Sequence, residues 1–196
     1  MTGDKSPSPR AEKRRLAICV FCGSSHGTDP AYAATAKALG EMIAARGYSL
    51  IFGGGDVGLM GEVARAARDG GAPVQGILPD FLKHLEPPLP TREKVVITPD
   101  LQSRKALMLS LADAFVVLPG GLGTLDEYFE ILTSAQLGVF RKPIVVVDVA
   151  GYYAPLKALL DQVTAHGFAG PETLAMQTVV NSAEEAMAVL DRRLAA

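Results

Sequence analysis

The chain has 196 residues, 48% of them hydrophobic, and a formal net charge of −2, which suits one domain of ordinary size and argues against global disorder. Without a basic excess, binding to DNA or RNA has no electrostatic support. No apolar run approaches the roughly 18–20 residues that a membrane-spanning helix needs.

Residues 1–13, rich in Ser, Pro and Lys, read as a disordered tail ahead of a domain spanning residues 14–196. Lys13-Arg14-Arg15 before Leu16–Cys22 loosely imitates a secretion signal, but the apolar run is short and stops at Gly23-Ser24-Ser25-His26. The expected compartment is the cytoplasm. Short apolar runs then alternate with longer helical patterns. Strands are expected at Leu16–Phe21, Ser49–Phe52, Val74–Leu78, Lys94–Thr98, Ala114–Leu118 and Ile144–Val147, with Val179-Val180 as a further short one. Helices are expected at Pro30–Arg46, Leu59–Asp69, Leu101–Leu111, Thr124–Leu137, Tyr153–His166 and Ala183–Leu194. Runs such as Ile144-Val145-Val146-Val147 suit strands covered on both faces. The alternation predicts an α/β fold, a Rossmann-like, doubly wound parallel sheet with helices on both faces. Ligands of such sheets bind outside the carboxyl ends of the strands.

Three loops follow strands and should meet at that edge: Cys22-Gly23-Ser24-Ser25, Gly53 to Gly61, and Pro119-Gly120-Gly121-Leu122-Gly123-Thr124. Glycine lets the backbone approach a ligand closely, and the helix that follows offers free N–H groups and a positive dipole end. Three such loops at one edge point to a phosphorylated ligand, whereas any one alone is equally a tight strand-to-helix turn. Gly53, Gly55 and Gly58 also fit a dinucleotide fingerprint, with Asp80 near the ribose-binding distance, but the pattern falls on the second strand. No loop ends in the Gly-Lys-Ser/Thr of a P-loop. The third loop continues as Thr124-Leu125-Asp126-Glu127, for which two readings stay open. One is a capping box with Thr124 at the N-cap and Glu127 three residues on; the other is a carboxylate held beside an anion site. Arg104-Lys105, in the first turn of its helix, is either a solvated charged face or a pair of cations meeting phosphate or leaving base. Cys19 and Cys22 fall on opposite faces of a strand and read as buried thiols, and His26, His84 and His166 have no metal-ligand spacing.

The run Pro119 to Glu127 resembles the P-G-G-x-G-T-x-x-E motif of the LONELY GUY family, cytokinin riboside 5′-monophosphate phosphoribohydrolases often labelled lysine decarboxylase-like. Arg104-Lys105 resembles the family's Arg-Lys pair, Gly53 to Gly61 its glycine-rich second loop, and Gly23-Ser24-Ser25 its first loop. Leu101 stands where the family commonly has Met. The resemblance extends from about Arg15 to Leu194. It implies a homodimer that cleaves the N-glycosidic bond of AMP or N6-prenylated AMP, releasing free base and ribose 5-phosphate, without nucleic-acid or membrane partners. It also implies Arg104 and Glu127 as catalytic residues. The implied substrate contacts are Ser24, Ser25, Gly54, Gly55, Glu86, Arg104, Lys105, Gly120, Gly121, Leu122, Gly123, Thr124, Leu125, Asp126, Glu127 and Thr133.

The transition state of such a cleavage is oxocarbenium-like. A carboxylate such as Glu127 stabilises the cation or orients water, and Arg104 stabilises negative charge but is too basic to donate a proton. No metal or cofactor is expected. Lys105 is the residue a pyridoxal phosphate reading would use, yet it sits beside Arg104 with no separate cofactor frame. The rival class is a nucleotide- or cofactor-binding carrier on the same fold without turnover.

Overall fold

In a computed structural model, the described residues are 14–83 and 94–195. The elements run β1 (Ala17–Phe21), α1 (Pro30–Ala45), β2 (Ser49–Phe52), α2 (Gly58–Asp69), β3 (Val74–Pro79), β4 (Lys94–Thr98), α3 (Leu101–Leu111), β5 (Ala114–Val117), α4 (Leu122–Gln136), β6 (Ile144–Val147), α5 (Ala154–Ala165), α6 (Pro171–Leu174), β7 (Gln177–Val180) and α7 (Ala183–Leu194). Short 3-10 turns at Asp80–Leu82 and Val149–Gly151 follow β3 and β6. The strands form one parallel sheet in the order β4-β3-β2-β1-β5-β6-β7. The chain builds outward from β1 to β4, then returns to place β5 on the other side of β1. That reversal opens a crevice at the carboxyl ends of β1 and β5, where ligands of open α/β sheets bind.

Alternation along the strands divides the core in two. Ile18, Val20, Leu50, Phe52, Val116 and Val145 pack beneath α1, α2 and α7. Cys19, Phe21, Ile51, Phe115, Val117 and Val146 pack beneath α3, α4 and α5. Cys22 and Cys19 accordingly fall on opposite sides of the sheet, both buried and free. Helix starts follow their side chains. Asp29 accepts from the Ala31 N–H at 2.8 Å ahead of Pro30, and Asp100 accepts from the Ser103 N–H at 2.7 Å. Ser182 accepts from Glu185 N–H at 3.2 Å while the Glu185 carboxylate accepts from the Asn181 N–H at 2.8 Å, a reciprocal cap of the capping-box kind.

Candidate active site

The three loops after β1, β2 and β5 meet as the alternation predicts. Gly23 N–H donates to the Pro119 carbonyl at 3.0 Å, joining the first loop to the third. Met60 N–H donates to the Gly23 carbonyl at 3.2 Å, joining the second loop to the first. Gly58 has φ +61, and a β-carbon there would lie 2.3 Å from the Ser24–Ser25 backbone, so only glycine lets the two loops close. The crevice between the first and third loops has a volume of about 180 Å³, and Tyr32, His26 and Tyr152 line it together with Gly120 and Gly121.

Helix α4 begins at Leu122 with Gly121 at its N-cap, and its first helical bond runs from Leu125 N–H to the Gly121 carbonyl at 3.1 Å. The N–H groups of Leu122, Gly123 and Thr124 are therefore left over at a positive dipole end, as an anion site needs. Thr124 lies inside the first turn and makes no cap, which overturns the capping-box reading.

Glu127 is 7% exposed, and its carboxylate meets the Arg104 guanidinium, Oε1 to Nη1, at 2.8 Å. Arg104 reaches this point from the first turn of α3. Its Nε donates to the Ile77 carbonyl at 3.0 Å, and a β-carbon on Gly53 would lie 2.4 Å from its Nη2. The glycine at the end of β2 thus makes room for the guanidinium. Burial pushes the Glu127 carboxyl from 4.5 up to about 7; the Arg104 charge pulls the other way without cancelling it, and Asp126 adds to the rise. A carboxyl poised near neutrality, held by a cation one and a half turns into a helix whose first N–H groups are left over, has the properties of a general base.

Lys105 points elsewhere. Its ammonium pairs with Asp126 at 2.9 Å and Glu130 at 2.5 Å on α4. Burial disfavours its charge, but the hydrogen bonds and charges of Glu130 and Asp126 outweigh this and raise its pKa. An aldimine needs the neutral amine, so these residues do not fit pyridoxal phosphate, and Lys105 and Asp126 pair with each other. Ser24, Ser25, Gly121, Leu122 and Gly123 are exposed at the crevice edge and Gly120 is half-buried there. Gly54 and Gly55 are buried, with Gly54 packed against Leu78, so the dinucleotide-like spacing serves contacts within the protein. Leu125, in the first turn of α4, is partly buried against the core. Thr133 is exposed; nine residues past Thr124, it lies about 13–14 Å farther along α4 on the opposite face, so the structure does not bring it to the loop. Glu86 and His84 lie outside the described residues. Sequence reasoning missed Tyr32, Tyr152 and Tyr153. The available signal was the Tyr152-Tyr153 pair just after β6, a strand ending at the same sheet edge.

Residues 60–190 match the family described as "Possible lysine decarboxylase". A cytokinin riboside 5′-monophosphate phosphoribohydrolase of Arabidopsis thaliana is 46% identical over 154 residues, 79% of this chain and 71% of the relative. A probable enzyme of the same description from Oryza sativa subsp. japonica is 41% identical over 181 residues, 92% and 84% of the two chains. Among solved structures, the molybdenum cofactor binding protein of Rippkaea orientalis superposes with a TM-score of 0.71 at 22% identity, over 91% of this chain and 97% of that one. The Moco carrier protein of Chlamydomonas reinhardtii gives 0.70 at 21% identity, over 93% and 99%. At that identity the likeness speaks for the Rossmann-like fold alone.

Proposed function

The chain belongs to the LONELY GUY family of phosphoribohydrolases, within the grouping described as "Possible lysine decarboxylase", and from that premise we propose that it hydrolyses cytokinin riboside 5′-monophosphates to free base and ribose 5-phosphate. The observation that carries the chemistry is the pairing of half-buried Arg104 with buried Glu127 beside the N-terminus of α4. The 5′-phosphate binds the N–H groups of the third loop, which sets C1′ against Glu127. Water adds to C1′ as the bond to the base nitrogen breaks and its electron pair leaves with the base; the water's proton passes to Glu127, the base takes up a proton from solvent, and Glu127 then returns its own to solvent. A carboxyl near pKa 7 is ionised in a large fraction of molecules at neutral pH and basic enough to accept that proton. Arg104 keeps the carboxylate oriented and stabilises negative charge developing on the ligand.

We further propose a homodimer that buries the outer face of α4. Leu122, Phe129 and Leu137 are exposed at 85%, 38% and 74%, and with Thr133 they recur at helical spacing along one stripe. An apolar stripe of this kind marks an interaction surface. Among the described residues no helix is long and apolar enough to cross a membrane. We place the reaction in the cytoplasm.

The test is to incubate the protein with AMP and with isopentenyladenosine monophosphate and to quantify base and ribose 5-phosphate. Equal amounts of both products from either nucleotide are expected. Tight binding with no release of base, as a carrier would show, contradicts the reading, as does release of carbon dioxide from lysine.

A further inference from the structure

We propose that Tyr152 and Tyr153 are positioning residues that set the backbone of the Pro119–Gly121 loop for phosphate before a ligand arrives. The inference rests on the proposed use of that loop as the phosphate site. The Tyr153 hydroxyl donates to the Leu118 carbonyl at 2.6 Å, and the Tyr152 hydroxyl donates to the Gly120 carbonyl at 2.5 Å. Between them the Pro119 carbonyl accepts from Gly23 N–H at 3.0 Å, and beyond them the Gly121 carbonyl accepts from Leu125 N–H at 3.1 Å. Four consecutive carbonyls are thus each held by a separate donor. No peptide bond among the described residues is cis, so each trans plane turns the following N–H to the side opposite its carbonyl. Holding the carbonyls of Pro119 and Gly120 therefore aims the N–H groups of Gly120 and Gly121, the latter through Tyr152; the Leu118 carbonyl precedes Pro119, which has no N–H, so Tyr153 fixes where the loop starts rather than a donor. Donors aimed in advance cost no reorganisation when the anion binds.

The segment that carries the two tyrosines is built for this reach. After β6 the chain turns sharply through Ala150, at φ 53 and ψ 30, and Gly151, at φ 75. A left-handed conformation is uncommon for alanine and is retained where the surroundings over-determine it. The Asp148 carboxylate closes the turn by accepting from Tyr153 N–H at 2.7 Å. Tyr153 is 4% exposed, and burial raises its pKa, which keeps the hydroxyl a donor. Tyr152 stands at the mouth of the crevice with its ring edge-on to Tyr32, centroids 5.6 Å apart. Its partner is the carbonyl whose peptide opens α4.

The experiment compares the wild-type protein with Tyr152→Phe, which removes only the hydroxyl and keeps the ring contact with Tyr32. Tyr153→Phe is the second variant. Amide hydrogen exchange over residues 120–124 is measured without ligand, ribose 5-phosphate affinity by calorimetry, and KM and kcat on the nucleotide. Loss of one neutral hydrogen bond predicts exchange several-fold faster, ribose 5-phosphate affinity about three- to tenfold weaker, KM raised by a like factor and kcat lowered by a smaller one. Unchanged exchange and unchanged ribose 5-phosphate affinity in both variants overturn the proposal, as does a fall in kcat with no change in KM. A wild-type protein that neither binds ribose 5-phosphate nor releases base overturns the functional reading instead. The exchange measurement, which needs no ligand, still decides whether the tyrosines hold the loop.

Discussion

Replacing Glu127 by Gln separates the two things its carboxylate does. The amide keeps the shape and still offers an oxygen to Arg104, so the fold is expected to survive. What changes is the charge. The folded pKa, about 7, lies above the unfolded 4.5, so the folded state holds a proton that the unfolded chain releases between those values. Stability therefore falls as pH rises through that window. At about 1.4 kcal/mol per pKa unit, the rise converts to about 3 kcal/mol lost by pH 8 that is absent at pH 4. Gln carries no such dependence, so in urea unfolding the variant should gain about that much on the wild type between pH 4 and pH 8. Turnover should move the opposite way, falling by about 100- to 10,000-fold for the loss of a general base. The wild-type pH profile of kcat/KM should rise through a limb near pH 7. A variant with turnover within about fivefold of wild type, or a stability difference that does not change with pH, would refute the reasoning.

Arg104→Lys keeps the charge but loses the fork that serves the Ile77 carbonyl and Glu127 together; kcat/KM is expected to drop by at least about tenfold, and unchanged kinetics would return Arg104 to a surface role. Gly53→Ala puts a β-carbon 2.4 Å from Arg104 Nη2, so the guanidinium must shift and turnover should fall, with the loss read from base release and the fold checked by circular dichroism. Light scattering at micromolar concentration should report a dimer, and Leu122→Glu, which charges the exposed stripe on α4, should yield a monomer.

Most of the framework was legible because strand runs such as Ile144–Val147 are continuously apolar and short, while the helices between them carry their own starts, as at Asp29-Pro30. The edge strand β7, only half apolar, was read in part as Val179-Val180. Glu127 shows where pattern reading reaches its limit. Thr124-x-x-Glu127 and Ser182-x-x-Glu185 have the same spacing, yet only the second caps a helix. Helix α4 starts at Leu122 with Gly121 at its N-cap, two residues before Thr124, and Glu127 turns inward to Arg104. On α3, Met108 is buried and Leu107 and Leu111 pack against the same core, whereas the exposed Leu122, Phe129 and Leu137 lie along α4. Lys105, adjacent to Arg104 in sequence, faces α4 carboxylates because successive residues on a helix point about 100° apart. Tyr152 and Tyr153 act on a loop more than thirty residues earlier, a partnership no local pattern encodes.

The central claim is that the anion site at the start of α4 binds the 5′-phosphate and thereby positions C1′ against Glu127. The most direct measurement compares kcat/KM for a nucleoside 5′-monophosphate, the matching nucleoside, and the nucleoside with free phosphate, each with and without chelator. Charge-assisted hydrogen bonds contribute about 1.5–3 kcal/mol each, so losing two predicts a nucleoside cleaved about a hundredfold more slowly or worse. Part of that loss should fall on kcat, because phosphate binding is used for positioning. Chelator should change nothing, since the described residues hold no cluster of metal-ligating side chains. Equal turnover of nucleoside and monophosphate would contradict the account.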